Sequence, residues 1–328
     1  MLFKKISLIA MVTALCVVVL GAYVRLSDAG LGCPDWPGCY GTLTVPQSEH
    51  AIAIAQTAYP DKPVESGKAW KEMVHRYLAG TLGLMVLALF VLGWKTKESI
   101  QVTPWLTTGL LGLIIFQAML GMWTVTMLLK PVIVSAHLLG GMSTLAILTW
   151  VAHRHWGAQM TYHKVGALFY WSVRFALVVL FAQLFLGGWT STNYAALACT
   201  DFPTCHGALM PLMDFKDAFH MHKELGESVN GGNLTLPALT AIQWTHRVGA
   251  LVTFIYLGLV ALNGIKYIHL KTLSVALLVM LIVQISLGIA NLILHLPLVL
   301  AVAHNFGAAL LVIIVVLLNS KITINKYR

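Results

Sequence analysis

Residues 72–95 read EMVHRYLAGTLGLMVLALFVLGWK, and residues 243–266 read QWTHRVGALVTFIYLGLVALNGIK. Each is an apolar run of the length that crosses a bilayer, about 20 residues. Each carries one histidine near its start, His75 or His246. The likeness extends outward in both directions. GAYVRLSDAGLGCPDWPGC (21–39) is answered by GGWTSTNYAALACTDFPTC (187–205), so Cys33 and Cys39 recur as Cys199 and Cys205 with the same spacing. QAMLG (117–121) followed by SAHLLGG (135–141) is answered by QISLG (284–288) followed by VAHNFGA (302–308), which sets His137 beside His304. The offset stays between 166 and 171 residues, so the chain is written twice.

Composition fixes the class. The 328 residues are 58% hydrophobic and 10% charged, with mean hydropathy +0.80. A soluble chain carries about 25% charged residues. Eight spans are expected, at about 6–24, 71–93, 104–127, 132–152, 168–190, 239–262, 273–293 and 298–318. Inside lipid these runs must be helices, because no water is there to satisfy the backbone. The run MLFKKISLIAMVTALCVVVL (1–20) resembles a signal peptide, but no small-residue cleavage site follows it. Its counterpart in the second half is a span, so it is read as the first helix. The expected fold is an all-α membrane protein with eight transmembrane helices. They form two tandem, pseudo-symmetric four-helix bundles, residues 1–164 and 165–328. Both halves run in the same direction, a parallel repeat about an axis near the membrane normal.

Charge sets the orientation. Lys4, Lys5, Lys95, Lys97, Arg154, Lys164, Lys266, Lys271, Lys321, Lys326 and Arg328 all fall on one side of this arrangement. Eleven of the twelve acids fall on the other, Glu98 being the exception. The basic side is expected to be cytoplasmic, with both termini there. The net charge of +9 reflects this asymmetry rather than nucleic-acid binding. Two long outer segments, about 25–70 and 191–238, then face a periplasm-like, disulfide-permissive compartment.

His75 and His137 lie near the outer starts of spans 2 and 4, and His246 and His304 repeat this in spans 6 and 8. At 1.5 Å per residue they sit roughly 8–9 Å deep. Two histidines at equal depth in one bundle suit the two faces of one heme iron. Gly140 and Gly307, three positions after a histidine, and Ala79 and Ala250, four after, leave room for a flat macrocycle. Arg76 and Arg247 follow the first histidine of each half and suit heme propionates. The alternative is four packing histidines; duplication at matched depth argues against it. His50, His153, His155, His163, His206, His220, His222, His269 and His295 read as solvated or interfacial, and a metal site from His220 and His222 is weak.

The halves differ at one informative place. Glu72 precedes His75 by three residues, where Gln243 precedes His246. An i, i+3 pair shares a helix face. A carboxylate moves protons or binds a cation, and glutamine does neither. A helix-start acid favoured by the macrodipole is the plainer reading. Arg25, Ser27 and Asp28 likewise stand opposite the uncharged Ser191, Asn193 and Tyr194. Arg25 reads as an interface anchor or a propionate partner. The cysteines read as two disulfides, Cys33 to Cys39 and Cys199 to Cys205, serving as lid staples or as a thiol relay. Cys16, inside the first span, reads as a packing residue.

Together GAYVRLSDAGLGCPDWPGCYG, EMVHR, SAHLLGG, WTHRVGA and VAHNFGA resemble the heme A synthase family, in the bacterial form with a cysteine pair in each half. The resemblance covers nearly the whole chain. It implies oxidation of the C8 methyl of heme O to a formyl group, through two hydroxylations and loss of water from a geminal diol. It places substrate heme O on His75 and His137, heme b on His246 and His304, and an essential carboxylate at Glu72. It implies a bacterial inner membrane, heme O synthase as donor, and terminal oxidases as the destination of the product. The electron acceptor is not implied, and a homo-oligomer stays open.

Three competitors remain. A diheme b-type cytochrome taking electrons from quinol explains four histidines but neither Glu72 nor the outer cysteine loops. A heme carrier binds without chemistry. A thiol oxidoreductase is disfavoured because C-x5-C is not the usual C-x-x-C redox spacing.

Overall fold

The computed structural model describes residues 2–95, 103–156, 163–228 and 232–324. Its elements are α1 (Leu2–Leu26), α2 (Glu49–Ala58), α3 (Ser66–Lys95), α4 (Pro104–Thr126), α5 (Pro131–Trp156), β1 (His163–Val165), α6 (Ala167–Thr192), α7 (Phe215–Ala218), α8 (Leu236–Ile265), α9 (Lys271–Ile293), α10 (Leu298–Lys321) and β2 (Ile322–Ile324). Among the described residues eight helices are long and apolar enough to cross a membrane: α1, α3, α4, α5, α6, α8, α9 and α10. All eight spans expected from the sequence are helices, and the protein is an all-α, multi-pass membrane protein.

Helices α1, α3, α4 and α5 close a ring: α1 packs on α3 and α5, and α4 packs on the same two. Helices α6, α8, α9 and α10 close another in the same way. Between them α5 meets α10 and α6, and α1 meets α10. The fourth and eighth spans are therefore the most enclosed, with 33% and 39% of their apolar windows buried. Leu145, Leu148 and Val151 of α5 and Ala309, Val312 and Val315 of α10 share one core at helical spacing. Leu84, Val178, Leu251 and Ile255 are exposed, as suits faces that lipid covers. A parallel pairing of β1 with β2 fastens the α5–α6 connection to the end of α10. The expected boundary at 164/165 thus falls inside β1.

Some boundaries differ from expectation. Helix α3 starts at Ser66, five residues before the apolar run at 71. Its first turn, SGKAWK, is polar and carries no hydropathy signal, so His75 is a turn further into its helix than the sequence suggested. The segment SEHAIAIAQTA does form a helix, α2, whose N-cap Ser48 accepts from the Ala51 amide. DFKDAFHMHKEL gives only the single turn of α7. Basic residues stand at the starts of α1 and α9 and at the ends of α3, α5, α8 and α10. Lys97, Glu98, Lys326 and Arg328 lie outside the described residues.

Candidate functional site

The segments that follow α1 and α6 each open with a disulfide loop, Cys33–Cys39 or Cys199–Cys205. Both loops carry a cis proline, at Trp36–Pro37 and Phe202–Pro203. An aspartate that the sequence reading passed over organises each. Asp35 accepts from the Tyr40 and Gly41 amides at 2.6 and 2.8 Å. Asp201 accepts from the His206 and Gly207 amides at 2.7 and 2.9 Å. The Thr204 hydroxyl also donates to Asp201, and with the Gly207 and His206 amides it holds that carboxyl well below the usual range. Tyr40–Gly41 and His206–Gly207 are all left-handed, which glycine allows at Gly41 and Gly207.

Arginine ties each loop to its helix. Arg76 donates to the carbonyls of Asp35, Pro37 and Gly38. Arg247 donates to those of Asp201, Thr204 and Cys199. The two guanidiniums read from sequence as propionate partners are therefore engaged with loop carbonyls. Arg25 reaches across to the second half. It donates to the Ser191 carbonyl at 3.0 Å and the Tyr194 hydroxyl at 3.1 Å, and lies 4.4 Å from the Tyr194 ring centroid. Its Nε is buried without a partner.

Glu72 is 4% exposed. It accepts from the Cys33 amide at 2.9 Å and pairs with Arg76 one turn on. Gln243 occupies the same place under the second loop and donates to the Ala196 carbonyl at 2.7 Å. Glutamate thus receives a loop amide where glutamine gives to a loop carbonyl.

The histidines lie below the loops, each half-buried. His137 is near enough to His75, and His246 to His304, for the rings to interact electrostatically. Each ring packs against a glycine of the neighbouring helix. A Cβ on Gly21 would stand 2.9 Å from His75 Cε1, and on Gly121 3.4 Å from His137 Cε1. On Gly187 it would stand 3.1 Å from His246 Cε1, and on Gly288 3.2 Å from His304 Cε1. Those four glycines were not singled out from sequence, because each lies on a different helix from its histidine.

Three glutamines were missed for the same reason. The Nε2 of Gln117, Gln183 and Gln284 donates to the backbone carbonyl of His137, His246 and His304 at 3.0, 3.1 and 3.0 Å. This corrects the reading of Gly140 and Gly307 as space for a macrocycle. A Cβ on Gly140 would stand 2.5 Å from Gln117 Nε2, and one on Gly307 would strike the Gln284 amide. The missing side chains make room for glutamine.

His75, His137 and His304 each bury an Nδ1 that has no partner. Buried ring nitrogens left unpaired suit axial ligands of a porphyrin iron; both histidines of the first half offer one, and in the second half His304 does, while His246 Nδ1 meets Gln183 Nε2. Cys199, Cys205 and His206 bring ligand atoms within 4.8 Å of one another, but the two sulfurs are bonded to each other and offer no thiolate. His220 and His222 gather no further ligand among the described residues.

Residues 4–316 match the family model COX15-CtaA, described as cytochrome oxidase assembly protein. The chain belongs to this family. It is 45% identical over 316 residues to the heme A synthase of Shewanella oneidensis, covering 95% of this chain and 94% of that protein. It is 28% identical over 294 residues to the heme A synthase of Alkalihalophilus pseudofirmus, covering 86% and 93%. It is 26% identical over 324 residues to that of Caulobacter vibrioides, covering 92% and 90%. The family match runs through both disulfide loops and all four histidines, so the two halves belong to one family unit.

The close approach of Gly21 to His75 gives a test of the pairing. Gly21→Ala is expected to displace the His75 ring and alter the absorption bands of the bound heme. Gly80→Ala, where a Cβ meets nothing within 4 Å, should leave them unchanged. The check is the reduced-minus-oxidised spectrum of the two purified variants.

Proposed function

We propose that the protein is a heme A synthase, a membrane oxidoreductase that converts the C8 methyl group of heme O to the formyl group of heme A. The observation that carries this reading is the 45% identity, over 95% of the chain, to a protein of that name. Substrate heme O lies in the N-terminal half, residues 1–164, between His75 and His137. In the C-terminal half, residues 165–328, His246 and His304 would hold a resident heme b. The glutamate at 72 against the glutamine at 243 supports this division, since the half with the carboxylate is the half with chemistry.

When bound, the hemes supply iron and the capacity to pass electrons. The chain supplies position and proton control. Paired histidines on α3 and α5 orient the substrate ring within the first bundle. Glu72, buried between the Cys33 amide and Arg76, holds a proton-accepting oxygen beside the His75 face of α3. The disulfide loop, fixed by Asp35 and Arg76, covers that oxygen and limits water. Arg25, with its spare buried Nε, is placed to meet an anionic propionate. The basic helix ends face the cytoplasm of a bacterial inner membrane, and the loops and heme sites face the periplasm. Heme O synthase supplies the substrate, and terminal oxidases receive the product.

The test is to purify the protein from cells that make heme O and identify its hemes by mass. Heme A or hydroxylated heme O together with heme b is the expected result. Heme b at both sites, with heme O available, would overturn the assignment in favour of a diheme cytochrome.

A further inference from the structure

Leu43 and Leu209 each stand four residues after the second cysteine of a disulfide loop. Leu43 is 80% exposed and Leu209 72%. The two loops differ in most of their residues, yet both lay an aliphatic side chain open at the same place. The second loop goes further. Its residues 207–213 read GALMPLM, without a charge, and Met210, Leu212 and Phe215 are exposed beside Leu209. Apolar side chains gathered and exposed in this way mark a contact with a partner or a membrane.

Ring donors on the two longest helices tie both leucines down. The Tyr77 hydroxyl donates to the Leu43 carbonyl at 2.6 Å, and Trp244 Nε1 donates to the Leu209 carbonyl at 2.9 Å. The Phe215 ring meets the Trp244 ring nearly edge-on, with centroids 6.5 Å apart. Tyr77 belongs to an exposed stripe of α3 that runs Val74, Tyr77, Leu84, Val91. Trp244 heads the exposed stripe Val248, Leu251, Ile255, Leu259 of α8. The loop leucines therefore continue the faces that lipid covers.

Depth agrees. Helices α3 and α8 have 30 residues each, about 45 Å of helix against a hydrocarbon core of about 30 Å. In α3 the excess lies at the loop end, which begins with the polar SGKAWK, whereas the apolar run continues to Lys95. Tyr77 comes eleven residues after Ser66, and Trp244 eight after Leu236, roughly 12–16 Å along the axis. Both rings thus stand near the boundary between hydrocarbon and water, where tyrosine and tryptophan concentrate.

We propose that the two disulfide loops are seated in the membrane. Leu43 of the first loop, and Leu209, Met210, Leu212 and Phe215 of the second, enter the loop-side leaflet and contact phospholipid acyl chains. Lipid is the occupant, rather than a protein partner, because the patches extend the lipid-facing stripes and are tethered at boundary depth. The loop whose Cys33 amide bonds Glu72 is then held between α3 and the bilayer, which closes that flank of the site to water. The inference holds whichever heme either half binds.

The experiment places a thiol-specific nitroxide at Leu43→Cys, Leu209→Cys or Leu212→Cys in phosphatidylcholine nanodiscs, with the free Cys16 removed by Cys16→Ser. Power-saturation spectra compare collisions with oxygen, which concentrates in lipid, and with a nickel chelate, which stays in water. The loop labels are expected to favour oxygen several-fold more than a label at Asp61→Cys, an exposed site ahead of the polar first turn of α3. Leu84→Cys, on the lipid face, marks the upper limit. Loop labels that favour nickel as Asp61→Cys does overturn the proposal and leave the patches to a protein partner. A second measurement needs no substitution. A phospholipid with a diazirine near the top of its acyl chain is photolysed with the unmodified protein in nanodiscs. Adducts on Leu43 and within residues 209–215 are expected; adducts on the stripes of α3 and α8 with none on either loop overturn the proposal as well.

Discussion

Glu72→Gln lowers the conversion of heme O to heme A by about two to four orders of magnitude, the range for losing a general acid or base, and leaves heme content unchanged. The second half shows why the fold tolerates the exchange. Gln243 fills the corresponding place, is 6% exposed, and bonds to its own loop through the Ala196 carbonyl. A glutamine at 72 can still accept from the Cys33 amide, so the loop keeps that tether. The negative charge is lost, and with it the capacity to accept a proton. Retained heme with absent turnover separates this role from a purely structural one. Full turnover in the variant would assign Glu72 to loop anchoring alone. The measurement is product formation per bound heme in purified protein.

The sequence disclosed the architecture because its signals are local. Apolar runs mark the spans, and repeated cysteines and histidines mark the halves. That His75 and His137 come near each other was legible for the same reason: each sits toward a helix start in the same half. The interactions that hold those histidines were not. Gln117 and Gly140 are unremarkable on their own helices, and become a donor and its socket only when α4 packs on α5. QAMLG and QISLG were visible as repeats, yet repetition does not say what a residue touches. The arginines teach a related lesson. Arg76 and Arg247 were read for charge, but a guanidinium also offers a fork of donors, and here the fork gathers loop carbonyls. The start of α3 was misplaced because hydropathy reports what lipid contacts, whereas SGKAWK is helical above it.

Arg76→Ala destabilises the protein by about 3–5 kcal/mol, the cost of stranding one member of a buried ion pair. The pair is well enclosed, with side-chain exposures of 12% for Arg76 and 6% for Glu72. Removing the guanidinium leaves the carboxylate with the Cys33 and Gly32 amides and frees the carbonyls of Asp35, Pro37 and Gly38. Arg247→Ala frees a similar set of carbonyls, but its neighbour is the neutral Gln243. Its expected cost is smaller, about 1.5–3 kcal/mol for bonds made by a charged donor. The double variant Glu72→Gln/Arg76→Ala isolates the charge. It removes the stranded carboxylate and should recover about 1–3 kcal/mol relative to Arg76→Ala alone. Thermal unfolding of the detergent-solubilised proteins, loaded alike with heme, checks the order. If the double variant is no more stable than Arg76→Ala, the loss comes from the loop carbonyls. Glu72 would then carry no buried charge that Arg76 is needed to balance.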